Sequence, residues 1–386
     1  MRILIIGGTG VLSTDIVKEC LLHGDTVYVI NRGHNQTAEE ARYHQITCDI
    51  RDTPSVTKKI GNLRFDVVAD FLSYNSSQLN NTYRIFAPRC KQFVFISSCC
   101  VFRRSSEDGV ICEESYKPNK VFSYGYDKYL CEQKLQELSK DFECKYTIVR
   151  PYITYGDTRV PFGLSPRERY HWTIVGRILA DKPFFIWDEG ENMCTLLHTI
   201  DFAKIFYLLL LNPKAYNQDV NLTGSKACKW IDVLKTLYHL LGKEEKHIVN
   251  IPKDYIAQEM PRFKELLLGD RSLNAVFDNR KLLNIVPEAK QILEDSISLG
   301  EGLARTIMSY KDNGFYGGID YKYDAQIDRL IASFLPPSDD RRKKLGYVDF
   351  LGNSSRKNFF RYLQYRYLTS TQNALIEKIE RKILKK

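Results

Sequence analysis

Apolar and polar positions alternate in blocks along the first 150 residues. Ile3 to Ile6 form an unbroken apolar run, as a strand buried on both faces requires. Behind it, Ile16, Val17, Cys20 and Leu21 recur at the spacing of one helix face, and Gly24 supplies a stop. The run TVYVI predicts a second strand, HQITCDI a third ending near Asp49, FDVVADFL a fourth and QFVFISS a fifth. The segment 124–142 then reads as a helix and KYTIVRP as a sixth strand. Strands alternating with helices at this pace predict an α/β fold, a doubly wound parallel sheet. Its ligand belongs at the carboxyl ends of the strands, the ends that carry Gly7, Asp49, Asp70, Ser98 and Arg150.

The first strand runs into GGTGVLS. Gly7 and Gly10 sit where a dinucleotide-binding turn needs a tight bend and a close approach to pyrophosphate, while Ser13 replaces the third glycine, which packs helix against strand. The N–H groups of the helix start, at Val11 and Leu12, then face the phosphates. At the end of the second strand the usual acid for a ribose 2′-hydroxyl is absent. Asn31 and Arg32 stand there instead, which removes repulsion toward a 2′-phosphate and offers it a guanidinium. This favours NADP over NAD. Asp49, Ile50, Phe71 and Pro151, at or just past strand ends, with Tyr124 and Lys128 further on, complete the expected cofactor contacts.

SYGYDKYL places Tyr124 and Lys128 one helical turn apart. YKPNK gives Tyr116 and Lys120 the same interval, but Pro118 between them opposes a helix. Ser97 and Ser98 end the fifth strand shortly before this helix.

Together, GGTGVLS, CDIRD, FISSCCVF, YGYDK, RPYITYG, LLHTIDFAKIF and VFDNRKL, in this order, resemble the extended short-chain dehydrogenase/reductases, the NAD-dependent epimerase/dehydratase family of nucleotide-sugar enzymes. The resemblance covers about residues 1–300. It implies a Rossmann fold in which Tyr124 is the general acid or base, Lys128 its electrostatic partner and Ser98 the group that holds the reacting sugar oxygen. A phenol titrating near ~10 is a poor base at neutral pH, and a nearby ammonium favours its phenolate.

Departures from the family pattern narrow the chemistry. Family dehydratases carry an Asp-Glu pair where this chain has Cys99 and Cys100, so a 4,6-dehydratase is disfavoured. By resemblance to the GDP-fucose synthase branch, Cys100 and His171 form a candidate proton-exchanging pair. A buried small cysteine and a helix-start histidine are the weightier account. Arg159, Arg169 and Arg271 (with Arg167) are candidates for a substrate diphosphate, since the family's arginine four residues before His198 is Cys194 here.

The implied organisation is a Rossmann domain over 1–165, to which 195–225 return, and a smaller α/β substrate-binding lobe from 166–194 and 226–325. A basic C-terminal extension covers 326–386. From Ser338 onward 13 Lys/Arg face 5 Asp/Glu, so most of the net +9 lies there. Leu375, Ile379 and Ile383 line one stripe of a predicted amphipathic helix. Packing on the protein itself or a partner chain is the first reading of this tail, with an anionic membrane surface second and nucleic acid third. The apolar run Ile205–Leu211 is too short to span a bilayer, and ten scattered cysteines without metal-ligand or disulfide spacing suit reduced thiols. A cytoplasmic protein, with peripheral contact at the inner membrane face as an option, is expected, and by family analogy a homodimer.

The expected function is NAD(P)-dependent epimerisation or keto-reduction of a nucleotide-activated sugar through a keto intermediate, in cell-surface polysaccharide or other glycan biosynthesis. The alternative is an RNA-binding or regulatory protein that keeps the dinucleotide fold without turnover.

Overall fold

The computed structural model describes residues 1–33, 40–105, 109–167, 170–312, 318–352 and 356–368, with 372–373, 375–376 and 378–379. Arg169 and Ile383, both singled out above, lie outside them. The described chain divides into two compact units.

Unit 1 comprises Met1–Gly156, Asn192–Cys228 and Leu268–Ser298. Its centre is a seven-stranded sheet in which every pairing is parallel. The strands are β1 (Arg2–Ile6), β2 (Thr26–Asn31), β3 (His44–Thr47), β4 (Phe65–Asp70), β5 (Cys90–Ile96), β6 (Lys145–Pro151) and a seventh, Gln218–Leu222. Across the sheet their order is Gln218–Leu222, β6, β5, β4, β1, β2, β3.

Alternation along β1 shows why the apolar run is continuous. Ile3 and Ile5 join a core built with Ile16, Val17 and Cys20 of helix α1 (Val11–Leu22) and with Phe202 and Phe206. Leu4 and Ile6 join the opposite core, with Val56 of α2 (Thr53–Ile60), Leu79 and Tyr83 of α3 (Ser76–Phe86) and Leu135 of α4 (Ser123–Leu138). Each such side chain gains about 1.5–3 kcal/mol by leaving water. Helices on both faces of a parallel sheet make this a doubly wound Rossmann fold.

Boundaries differ from the sequence expectation in small ways. β3 stops at Thr47, because Asp49 turns back onto Arg51 and Asp52 caps α2 through the Ser55 N–H. α4 ends at Leu138 and passes into a short 3-10 turn, Ser139–Asp141. Residues Leu268–Ser298, expected in the smaller lobe, group with unit 1. Leu282, Ile285, Ala289 and Leu293 there extend the α1-side core.

Unit 2 comprises Asp157–Glu191, Lys229–Leu267 and Leu299–Lys386. It holds a parallel strand pair, Phe184–Trp187 with Ile248–Ile251, among helices. At its centre lies a buried charge quartet. Arg177 donates to Asp324 and, at 2.8 Å, to Asp328 Oδ1, and Lys182 Nζ reaches Asp324 Oδ2 at 2.8 Å and Asp328 Oδ2 at 3.0 Å. All four side chains are fully buried, so their two positive and two negative charges must balance. The C-terminal extension enters this network. Tyr362 Oη donates to Asp328 Oδ2 at 2.5 Å, the Gly346 N–H donates to the same oxygen at 2.9 Å, and Lys182 donates to the Gly346 carbonyl at 2.7 Å. The helix Arg356–Tyr367 buries Tyr362 and Tyr365 beside Tyr321 and Ala325 of the helix Tyr321–Phe334. Among the described residues no helix is long and apolar enough to cross a membrane.

The quartet makes a prediction about stability. Tyr362→Phe removes a hydrogen bond to a buried carboxylate and should cost about 1.5–3 kcal/mol. Lys182→Met leaves that carboxylate pair under-compensated and should cost about 3–5 kcal/mol. Urea unfolding checks both, and equal small effects would mean the quartet is hydrated.

Candidate active site

At the carboxyl end of β1 the chain turns through Gly7, whose φ of +89° favours glycine and where a Cβ would lie 2.7 Å from Leu72 Cγ. Gly10 follows as the residue before α1. Ser13 is buried. Its hydroxyl donates to the Gly7 carbonyl at 2.6 Å and accepts the Gly10 N–H at 2.9 Å, closing the loop on itself. One N–H of the expected phosphate cradle is thereby used internally. Val11 and Leu12 remain at the first turn of α1, where N–H groups lack intrahelical partners and no acid intervenes.

Asn31 ends β2, buried, and its Oδ1 accepts from the Gly33 N–H at 2.8 Å and from Gln45 Nε2 at 3.3 Å. It therefore shapes the turn that leaves Arg32 exposed. Asp49, half-buried, chelates Arg51, and these hydrogen bonds hold its carboxyl far below the ordinary carboxylate range. Ile50 follows it. Phe71, just past β4, donates its N–H to the Ile6 carbonyl at 3.1 Å, and Pro151 ends β6. These residues fit a dinucleotide: a tight glycine turn, an open helix start and strand ends on one edge of the sheet.

Burial distinguishes the environments of the two Tyr/Lys pairs. α4 turns one stripe to the sheet, Gly125, Lys128, Cys131, Glu132, Leu135 and Leu138. Lys128 thus stands where an apolar residue would be expected, 2% exposed. Its ammonium donates to the carbonyls of Ser73 and Ile96, both at 2.8 Å, just beyond β4 and at the end of β5. Burial pushes its pKa down to about 8, outweighing the neighbouring Cys131, Asp70 and Glu132. Asp70 is itself buried and accepts from Ser73 Oγ at 2.5 Å and from the N–H groups of Leu72 and Ser73. Tyr124, half-buried, precedes Lys128 by one turn. By contrast, Tyr116 of the competing pair is 83% exposed in a non-helical segment.

Ser98 ends the β5 extension, 6% exposed, and its Oγ accepts the Cys100 N–H at 3.1 Å, capping the turn Cys99–Val101. α4 presses on this turn at one point. A Cβ at Gly125 would lie 2.1 Å from the Cys100 carbonyl oxygen. The residue after Tyr124 must therefore be glycine for the helix to come this close, a requirement the spacing of tyrosine and lysine does not reveal. Asn119 holds the other side, donating to the carbonyls of Cys100 (3.2 Å) and Gly269 (2.8 Å) while accepting the N–H groups of Val121 and Phe122. Behind Ser98, Ser97 Oγ donates to Glu132 at 2.5 Å, and Glu132 pairs in bidentate fashion with buried Arg150, which also reaches Asp219 at 2.7 Å.

The remaining candidates are placed as follows. Cys100 is buried, which raises its thiol pKa. Arg271 is bound to the buried carboxylate of Asp270, which also pairs with Arg104 and accepts from Tyr152 Oη at 3.2 Å. Arg104 was not foreseen, and nothing in its local sequence signals a partner so distant along the chain. In unit 2, Arg159 is half-buried, and His171 is buried with Nδ1 3.1 Å from the Val160 carbonyl. Burial, reinforced by Arg159, pushes the His171 pKa down to about 3. It is a neutral imidazole at ordinary pH.

Residues 3–223 match the profile of the NAD dependent epimerase/dehydratase family. Among curated proteins the chain is 24% identical over 270 residues to the chloroplast stem-loop binding protein of 41 kDa b from Arabidopsis thaliana, 66% of this chain and 67% of that protein. Among solved structures it is similar to dTDP-glucose 4,6-dehydratase from Bacillus anthracis, in complex with NAD (18% identity, TM-score 0.65, 81% of this chain and 97% of that one). It is also similar to UDP-glucose 4-epimerase from Thermotoga maritima, with UDP-glucose (18% identity, TM-score 0.61, 81% and 99%). At these identities the structural likeness shows the fold.

Two outcomes are expected. Gly125→Ala should push α4 off the Cys100 carbonyl, and a displacement approaching 1 Å should lower turnover about 100-fold, whereas unchanged turnover would mean the contact does not position Tyr124. The His171 ring resonances should stay fixed from pH 8 down to pH 5. Because its folded pKa lies below the ordinary value of 6.5, its contribution to stability is full above that value and is lost as pH falls toward 3. A ring titrating near 6.5 would contradict this placement.

Proposed function

The chain belongs to the NAD dependent epimerase/dehydratase family, and we propose that it modifies a nucleotide-activated sugar through a transient keto intermediate, by epimerisation or keto-reduction. Glycan or cell-surface polysaccharide biosynthesis is the setting this reading suggests. The observation that carries it is Lys128, an ammonium buried between the Ser73 and Ile96 carbonyls one turn after Tyr124. Structural economy would place a leucine there, since a buried charge is costly. A positive charge behind a phenol lowers the cost of phenolate and so readies Tyr124 to take or give a proton at a sugar hydroxyl. Ser98, fixed by the Cys100 N–H, is suited to hold that oxygen in line.

A bound nicotinamide supplies acceptance and return of hydride. Gly7, Gly10, Val11, Leu12, Asn31, Arg32, Asp49, Ile50, Phe71 and Pro151 would hold the dinucleotide, with exposed Arg32 favouring NADP. Arg159, Arg169 and Arg271 are proposed for a substrate diphosphate, and α4 for pairing two copies. Elimination is disfavoured because buried Cys99 and Cys100 stand where family dehydratases carry carboxylates, and burial raises both thiols.

A second reading rests on one observation, the similarity to a relative named as a stem-loop binding protein. In that case the protein binds RNA on a dinucleotide fold. Its affinity would then fall steeply with salt and be indifferent to Tyr124.

The expected outcomes separate the two. Gently denatured protein should release a nicotinamide identifiable by mass spectrometry, and retained NAD would favour an epimerase and remove the Arg32 argument. Tyr124→Phe should lower turnover of UDP-sugars by about 100-fold or more, the range of a lost general acid or base. The Lys128 ammonium is present below its pKa of about 8, so turnover should decline as pH rises through that value. An empty protein that binds neither dinucleotide would overturn the enzymatic reading.

A further inference from the structure

The helix Arg356–Tyr367 buries one aromatic face and leaves a second largely exposed. Tyr362 and Tyr365 are buried within unit 2. On the opposite side Phe360 is 64% exposed and Tyr367 72% exposed, seven residues apart and therefore on one stripe, while half-buried Leu363 between them packs against the Tyr362–Tyr365 cluster. Phe359, at 41%, adjoins this stripe and lies edge-on to Tyr347. Beyond it, Leu375 (60%) and Ile379 (49%) are also exposed. Solvent gives these side chains no reason to be large and apolar.

Charge defines the occupant. RKNFFRYLQYRY contains Arg356, Lys357, Arg361 and Arg366 and no acid. Arg356 extends the outward stripe, while Lys357 and Arg361 flank it. A second copy of the chain would bring the same cations face to face, so symmetric pairing is opposed by repulsion. Nucleic acid would satisfy the charges and could stack on Phe360, but it makes little use of Leu375 and Ile379. An interface of acyl chains beneath anionic headgroups accepts both the aliphatic and the aromatic side chains and pairs with the flanking cations.

We propose that the outward face of this helix docks the protein on an anionic lipid surface, lying in the headgroup plane while Tyr362 and Tyr365 keep it attached to unit 2. The proposal is independent of the reaction assigned above.

Co-sedimentation of the full chain with extruded vesicles tests it. Binding to phosphatidylcholine vesicles doped with phosphatidylserine, weakening with added NaCl and absent for phosphatidylcholine alone, is the expected result. Lys357→Ala and Arg361→Ala should each lower partitioning about fivefold. Phe360→Ser combined with Tyr367→Ser should lower it by about tenfold or more. Far-UV circular dichroism and the urea midpoint should not change, because these side chains are exposed. Equal binding to neutral vesicles, binding that survives Phe360→Ser with Tyr367→Ser, or no binding at all would overturn the proposal. It would also be overturned by a solution dimer that this double substitution makes monomeric, or by stem-loop RNA held through the same residues without vesicle binding.

Discussion

Everything proposed about the site depends on one close approach, that of α4 to the turn after β5. Without a side chain at Gly125, the helix rests its backbone against the Cys100 carbonyl. This contact fixes both the height and the rotation of the helix. Its rotation turns Lys128 into the sheet, where two strand-end carbonyls take its protons. It also carries Tyr124, one turn before Lys128, on the same helix. Asn119 secures the turn from the far side, and the Ser97–Glu132–Arg150 chain secures the strand from behind. A glycine and an asparagine thus do for geometry what the lysine does for charge.

The sheet was legible because a strand buried on both faces must be apolar at every position, and Ile3–Ile6 and the later runs satisfy that. The glycine turn was legible for a similar reason, since Gly7 occupies a conformation that few other residues adopt. Burial of Lys128 was also within reach. It shares a helical stripe with Cys131, Leu135 and Leu138, and a cation on an otherwise apolar stripe is a stronger signal than its spacing from tyrosine. What could not be read were pairings across long stretches of chain. Asn119 with Gly269, and Arg104 with Asp270, join residues more than a hundred positions apart, and periodicity carries no record of such meetings. The unit 2 quartet was invisible for the same reason: Arg177, Lys182, Asp324 and Asp328 each resemble surface residues until they are assembled.

The second strand shows how one substitution in a familiar position changes two things. Asn31 lacks the charge that would select an unmodified ribose, and its amide oxygen instead ties down the Gly33 N–H. The turn is thereby shaped from within, and the only charge presented at this corner by the Asn31–Gly33 segment is Arg32. The shape of this turn and the exposure of Arg32 are thus set by one side chain.

The charge quartet of unit 2 has a temporal side. Arg177 finds its partner Asp324 147 residues further along, an interval of roughly 7–30 s at ordinary rates of synthesis. Until then its guanidinium stays in water, since a lone buried ion is prohibitive. The core around it cannot close in the order in which it is made. Tyr362 comes later still, so newly made chains display the apolar walls of this unit to the cell until the extension arrives. Growth of this protein therefore includes a waiting period, and whatever shields those walls during it is as much a condition of the final fold as the contacts themselves.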